Sequence, residues 1–148
     1  MMRLYLDLCV YNRPFDDQHQ ERIALETNAF IYILEKVEKE EYELVASEML
    51  VYENNRNPDE LKRLRITSYF RLAKNFAEVE NEDLKRAEYL TGLGFSAVDA
   101  LHIALAEKCG VDYFITCDDD IIKVYKKHKD VIKIKLVSLL EFIALEVR

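Results

Sequence analysis

Apolar positions along the chain come in short dense runs separated by longer stretches with helical spacing. Residues 3–10 (RLYLDLCV) form the first run, rich in β-forming types, and predict a buried strand. Asn12, Arg13 and Pro14 break it. From Asp17 to about Val37, the residues Ile23, Phe30, Leu34 and Val37 recur at helical intervals. Residues 43–46 (ELVA) predict a second short strand, and Ser47 is placed to cap a helix reaching about Asn55. Pro58 opens another helix running to about Lys74, with Asp59 and Glu60 in its first turn, where the helix dipole favours acids.

The second half repeats this rhythm. Residues 81–91 predict a helix that ends at Gly92 and Gly94. Ser96 and Asp99 have capping-box spacing and begin the next helix, which stops at Gly110. Residues 111–116 (VDYFIT) predict a third strand, and 118–127 a short helix. Residues 131–137 (VIKIKLV) alternate and predict a fourth, less buried strand. Ser138 and Glu141 repeat the capping-box spacing for a last helix. Strands separated by helices need crossover connections, so the fold class is α/β, a parallel sheet with helices on both faces. Ligands of such sheets bind outside the carboxyl ends of the strands. Asp7 falls at the end of the first strand and Asp118 just past the end of the third.

Composition narrows the picture. The 148 residues are half hydrophobic, with three Gly and two Pro, which predicts one compact domain over 1–148 without linkers or repeats. A net charge of -7 argues against coating nucleic acid through bulk positive charge. It leaves room for local recognition of a phosphate backbone. Three cysteines without C-x-x-C spacing suggest neither a disulfide framework nor a zinc ribbon. The N-terminal apolar run is short and carries Asp7, unlike a signal peptide, and no stretch approaches the ~18–20 apolar residues of a membrane span. A cytoplasmic protein is expected.

The acids carry the candidate chemistry. Asp7 is flanked by Leu6 and Leu8, and a carboxylate there is costly unless paired. Asp118 leaves a strand with Asp119 and Asp120 beside it, which also fits simple capping of the next helix. Asp99 opens an almost wholly apolar helix (ALHIA). Glu53 follows the second strand on a helix, where Glu48 is a rival. Four carboxylates meeting at the strand ends repel one another by roughly 3 kcal/mol per pair at ~5 Å and an effective dielectric near 20. A hard divalent cation removes that cost, and all-oxygen ligation favours Mg²⁺ or Mn²⁺. Such a metal suits phosphodiester hydrolysis.

The segments LYLDLCVYNRPF, LVASEMLVYE, FSAVDALHIALAEKCGVDYFITCDDD and KLVSLLEFI, in this order, resemble the PIN domain family over nearly the whole chain. The stretch 99–120 is the most specific. The resemblance implies a three-layer α/β/α fold with a central, mainly parallel sheet of four to five strands. It implies a metal-dependent endoribonuclease, similar to the VapC-type toxins of toxin–antitoxin pairs. Residue by residue it makes Asp7, Glu53, Asp99 and Asp118 the catalytic metal ligands, with Thr116 near the metal. Asp120 is positioned to join or replace Asp118, and Leu8 departs from the small polar residue common after the first acid. RNA is the implied substrate, with an antitoxin and a homodimer as implied partners.

Other features are weaker. Arg13 is a candidate phosphate contact against a plain structural role. His102 reads as a core histidine more readily than as a ligand, and Cys9 and Cys117 as small buried residues. The cluster Lys62, Arg63, Arg65, Arg71 and Lys74 reads equally as a substrate flank or a solvated face. On the same helix Leu61, Leu64, Tyr69 and Leu72 offer a partner contact. Two other readings stand beside the nuclease. A phosphatase with an aspartyl nucleophile commonly wants a second acid two residues on, where this chain has Cys9. A non-catalytic module would bind RNA or a partner without cleaving.

Overall fold

The computed structural model describes residues 1–147. Five strands form one sheet, β1 (Met2–Leu6), β2 (Tyr42–Ser47), β3 (Asn75–Ala77), β4 (Tyr113–Thr116) and β5 (Lys135–Ser138), in the order β3-β2-β1-β4-β5. Every pairing is parallel. The helices are α1 (Leu8–Asn12), α2 (Glu21–Glu38), α3 (Glu48–Asn55), α4 (Glu60–Phe70), α5 (Asn81–Leu93), α6 (Ala97–Lys108), α7 (Asp119–Lys127) and α8 (Leu139–Glu146). Successive residues of the central strands are buried without alternation: Leu4, Tyr5 and Leu6 in β1, Leu44, Val45 and Ala46 in β2, Phe114, Ile115 and Thr116 in β4. Both faces of the sheet are therefore covered, as a parallel sheet in an α/β/α sandwich requires.

The chain leaves β1 toward β2 and β3, then returns to β4 on the other side of β1. Direction reverses between β1 and β4, so a crevice opens at their carboxyl ends. Asp7 begins there: its N–H still bonds Ile115 O at 2.9 Å, while its carboxylate caps α1 by accepting from Leu8 N at 2.8 Å.

Several boundaries differ from the sequence reading for identifiable reasons. The apolar run 3–10 is not one strand. It turns at Asp7 into α1, whose Val10 and Tyr11 are as buried as the strand, so hydrophobicity does not mark the change. Asp17 caps a turn through His19 N instead of starting α2. Asp59, not Pro58, caps α4, which ends at Phe70. Strand β3 was not expected. It has three residues, lies at the sheet edge and exposes Phe76, so it carries no periodic signal. Residues 129–131 form a 3-10 turn, leaving β5 to the last part of the alternating run. The serine caps appear as read: Ser47, Ser96 and Ser138 accept from Leu50, Asp99 and Glu141 N–H groups. Among the described residues no helix is long and apolar enough to cross a membrane.

One ion cluster fixes α2 beneath the α1 exit. Glu26 is 1% exposed. Arg13 Nε reaches it at 2.8 Å and Arg22 Nε at 3.4 Å, while Arg13 Nη1 also meets Asp16 at 2.7 Å. Removing one partner of a buried pair leaves an uncompensated charge. Arg13→Ala is expected to lower unfolding free energy by about 2–4 kcal/mol, below the full cost because Arg22 remains. Glu26→Gln in the Arg13→Ala background should recover much of the loss in urea melts.

Candidate metal centre

Each acid arrives by its own local structure. Asp7 is 7% exposed, with one oxygen on Leu8 N–H and the other accepting from the Thr116 hydroxyl at 2.8 Å and the Cys9 thiol at 3.5 Å. These donors are neutral, and among the described residues no Lys, Arg or His pairs with Asp7 in a salt bridge. Glu53 stands in the last turns of α3, its carboxylate against His102 Nε2. Asp99 sits in the first turn of α6. Gly94, at φ 120°, ends α5 and lets the chain reverse into the Ser96 cap that sets that turn. Asp118 caps α7 by accepting from Asp120 N at 2.9 Å, and its own N–H bonds Thr116 Oγ at 3.1 Å. Thr116, wholly buried, thus links the ends of β1 and β4.

The acids fall into two groups. Ligand atoms of Asp7, Glu53 and His102 lie within 4.8 Å of one another. Asp99, Asp118 and Asp120 line a cavity of about 250 Å³, floored by Phe95 and Ile121. Asp99 feels the charge of both groups. Its carboxyl is pushed up to about 6, chiefly by burial and then by the negative charges of Asp7 and, less, Asp118, against a smaller pull from Ser96. The carboxylates hold negative charge in a partly dry place, among the described residues no Lys, Arg or His pairs with Asp7 in a salt bridge, and their donors are oxygens. Such a set fits a hard divalent cation.

The triple aspartate is sorted by a neighbour. Arg22 grips Asp119 with both terminal guanidinium nitrogens, at 2.8 and 2.9 Å, and Asp119 does not line the cavity. Asp118 and Asp120 remain at its wall. Glu48, the rival on α3, accepts from Val79 N at 3.0 Å beside β3. Arg13 lies with Glu26 and Asp16, its guanidinium already engaged. Cys9 and Cys117 are packed near Asp7, Cys117 N–H bonding Cys9 Sγ at 3.2 Å. Tyr69 packs against Tyr11 and Phe30, while Leu61 and Leu64 stay exposed. His102 is buried, as a core histidine should be, yet it touches Glu53. Tyr5, behind it, was not singled out from the sequence, because an apolar strand gives no sign of which tyrosine faces a histidine a hundred residues away.

The PIN domain family matches the sequence over residues 10–127, a span that contains Glu53, Asp99 and Asp118 and begins just after Asp7. No curated protein matches by sequence. Among solved structures, a chain of VapBC2 from Rickettsia felis, bound to a DNA fragment from their promoter, superposes with a TM-score of 0.55. It is 13% identical, with 93% of this chain and 98% of that one covered. A chain of DNA-bound VapBC from Salmonella typhimurium gives 0.51 at 12% identity, covering 94% and 99%. At such identities the likeness is one of fold.

The raised Asp99 carboxyl has a stability consequence. The folded state keeps its proton up to about pH 6, while the unfolded chain releases it near 3.8. Stability from this group is therefore greatest at low pH and falls as pH rises between these values. Discounted for partial exposure, the loss is about 1–2 kcal/mol. Asp99→Asn is expected to melt higher than the parent in EDTA at pH 7.5, with the gap closing as pH falls toward 4.

Proposed function

The chain belongs to the PIN domain family, and from that premise we propose that it is a metal-dependent endoribonuclease of the VapC toxin type. The observation that carries the proposal is that Asp7 and Glu53 bring ligand atoms within 4.8 Å of each other, while Asp99, which lines a cavity with Asp118, feels the charge of Asp7, and among the described residues no Lys, Arg or His pairs with Asp7 in a salt bridge. These four would hold Mg²⁺ or Mn²⁺, and Asp120 stands ready to share the place of Asp118. A bound cation of this kind supplies an activated water and charge stabilisation at a phosphodiester. The protein does the positioning. Thr116 and Leu8 N–H fix the two oxygens of Asp7 separately. Asp99 must release its proton for the site to fill. Arg13, held by Glu26, is left to a structural role in this reading, and Thr116 acts through Asp7.

In this reading RNA cleavage requires Mg²⁺ or Mn²⁺ and stops with EDTA. Asp7→Asn and Asp99→Asn are each expected to reduce kcat by at least about a hundredfold, the scale of losing a directly acting charged group, while circular dichroism stays unchanged. Cleavage retained by both variants refutes the assignment. Hydrolysis of a small phosphate ester with RNA untouched would favour the phosphatase reading, and metal-free RNA binding without cleavage the non-catalytic one.

The VapBC neighbours extend the proposal to an antitoxin partner, and we propose pairing with a second copy as well. An apolar groove of about 410 Å³ between α3, α5 and α6, with Leu84 and Val98 at its lip, offers surface for self-association. Leu84→Asp should convert a dimer to a monomer in light scattering. An unchanged mass would remove the groove from that role.

A further inference from the structure

Behind Glu53 runs a chain of buried polar groups. Ser47 Oγ accepts from Leu50 N–H at 3.1 Å. Tyr5 Oη lies 2.7 Å from Ser47 Oγ and 2.5 Å from His102 Nδ1. His102 Nε2 meets Glu53 Oε1. Ser47, Tyr5 and His102 are fully buried, so each polar atom must find its partner within the chain.

Counting protons fixes the direction. Ser47 Oγ has one buried neighbour able to accept its hydroxyl proton, Tyr5 Oη. Ser47 therefore donates to Tyr5, and the Tyr5 hydroxyl donates to His102 Nδ1. Nδ1 is then the bare nitrogen of a neutral imidazole, and Nε2 carries the proton, facing the Glu53 carboxylate. The reverse order leaves the Ser47 proton without an acceptor. With a neutral ring it also sets a bare Nε2 against a carboxylate.

We propose that His102 is a positioning residue for the metal centre and not one of its ligands: the Ser47–Tyr5–His102 chain holds Nε2–H on Glu53 and fixes that carboxylate beside Asp7. This rests on the metal-dependent reading above. Among the described residues Glu53 has no other side-chain hydrogen bond. It stands in the last turns of an eight-residue helix, and a long carboxylate there would otherwise sample many rotamers. The imidazole removes that freedom. Although a ring nitrogen of His102 lies within 4.8 Å of ligand atoms of Asp7 and Glu53, the Nε2 lone pair is occupied by the proton and Nδ1 accepts from Tyr5, so the donor set stays all-oxygen. Partners that orient ligands in this way typically carry 10–100-fold in metal affinity.

The test is Mn²⁺ titration of the full chain by electron paramagnetic resonance at pH 7.5. The parent is expected to bind, and His102→Leu to bind about 10–100-fold more weakly. His102→Gln, whose amide can still donate to Glu53, should recover to within a few-fold. Bound Mn²⁺ in the parent should show no ¹⁴N coupling. A ¹⁵N-histidine spectrum of the unmutated protein, with His102 assigned by its loss in His102→Gln, should report a protonated Nε2 and a bare Nδ1. Parental affinity in His102→Leu, nitrogen coupling, or the opposite tautomer would each overturn the positioning role and leave the metal site standing. A parent that binds no Mn²⁺ would overturn the metal reading and the positioning role with it.

Discussion

The Asp7 carboxylate is held from three directions by neutral donors: a backbone N–H, a hydroxyl and a thiol. This fixes the group without cancelling its charge. The charge then acts on its surroundings, adding to the burial that pushes the Asp99 carboxyl up to about 6. It is set where β1 ends, between β2 and β4, so every element that approaches the crevice meets its field. Helices α3 and α6 and the start of α7 bring further acids to that field, and among the described residues no Lys, Arg or His pairs with Asp7 in a salt bridge. An arrangement in which every newcomer raises the repulsion persists only where the rest of the domain carries the cost, or a diffusible cation removes it.

The sheet carries that cost. Three central strands are buried on both faces, and aromatic groups pack behind the site: Tyr5 stacks on Phe114 with centroids 5.3 Å apart, and Tyr11 meets Phe30 and Phe70 edge-on. Ion pairs brace the α5–α6 unit, where Arg86 holds Glu107 at 2.7 Å and Lys108 holds Asp83 at 2.6 Å. That unit carries Asp99. The helix bearing the most perturbed acid is thus tied down away from the acid itself, and the site keeps its charge without losing its geometry.

Much of this was legible in the sequence where a rule is local. Serine followed three residues later by a helical N–H marks a cap, and three such caps were read correctly. The parallel topology followed from strands alternating with helices, and it placed Asp7 and Asp118 at one edge. What escaped was either too short or too distant. Strand β3 has three residues and an exposed phenylalanine, so neither run nor alternation announces it. The end of β1 is invisible because α1 is equally apolar. The sorting of Asp118, Asp119 and Asp120 depends on Arg22, ninety-seven positions from its partner. The Tyr5–His102 contact spans the same separation and exists only because β1 and α6 are brought side by side.

These distant contacts divide the chain's charges into two populations. Arg13 and Arg22 share the buried Glu26, and Arg22 also takes Asp119, the one member of its triplet that does not line the cavity. Arg86 and Lys108 are likewise taken. Among the described residues these cations pair with structural acids, and none of them pairs with Asp7, Glu53, Asp99 or Asp118. A surplus of negative charge spread at random over the surface would be screened within about 8–10 Å at physiological ionic strength. Gathered in a partly buried crevice, the same surplus is screened far less. On the proposed reading, such a place would hold a small, doubly charged ion more strongly than a monovalent one. On that reading the acidic balance of the chain would serve, at this one edge, to select the ion.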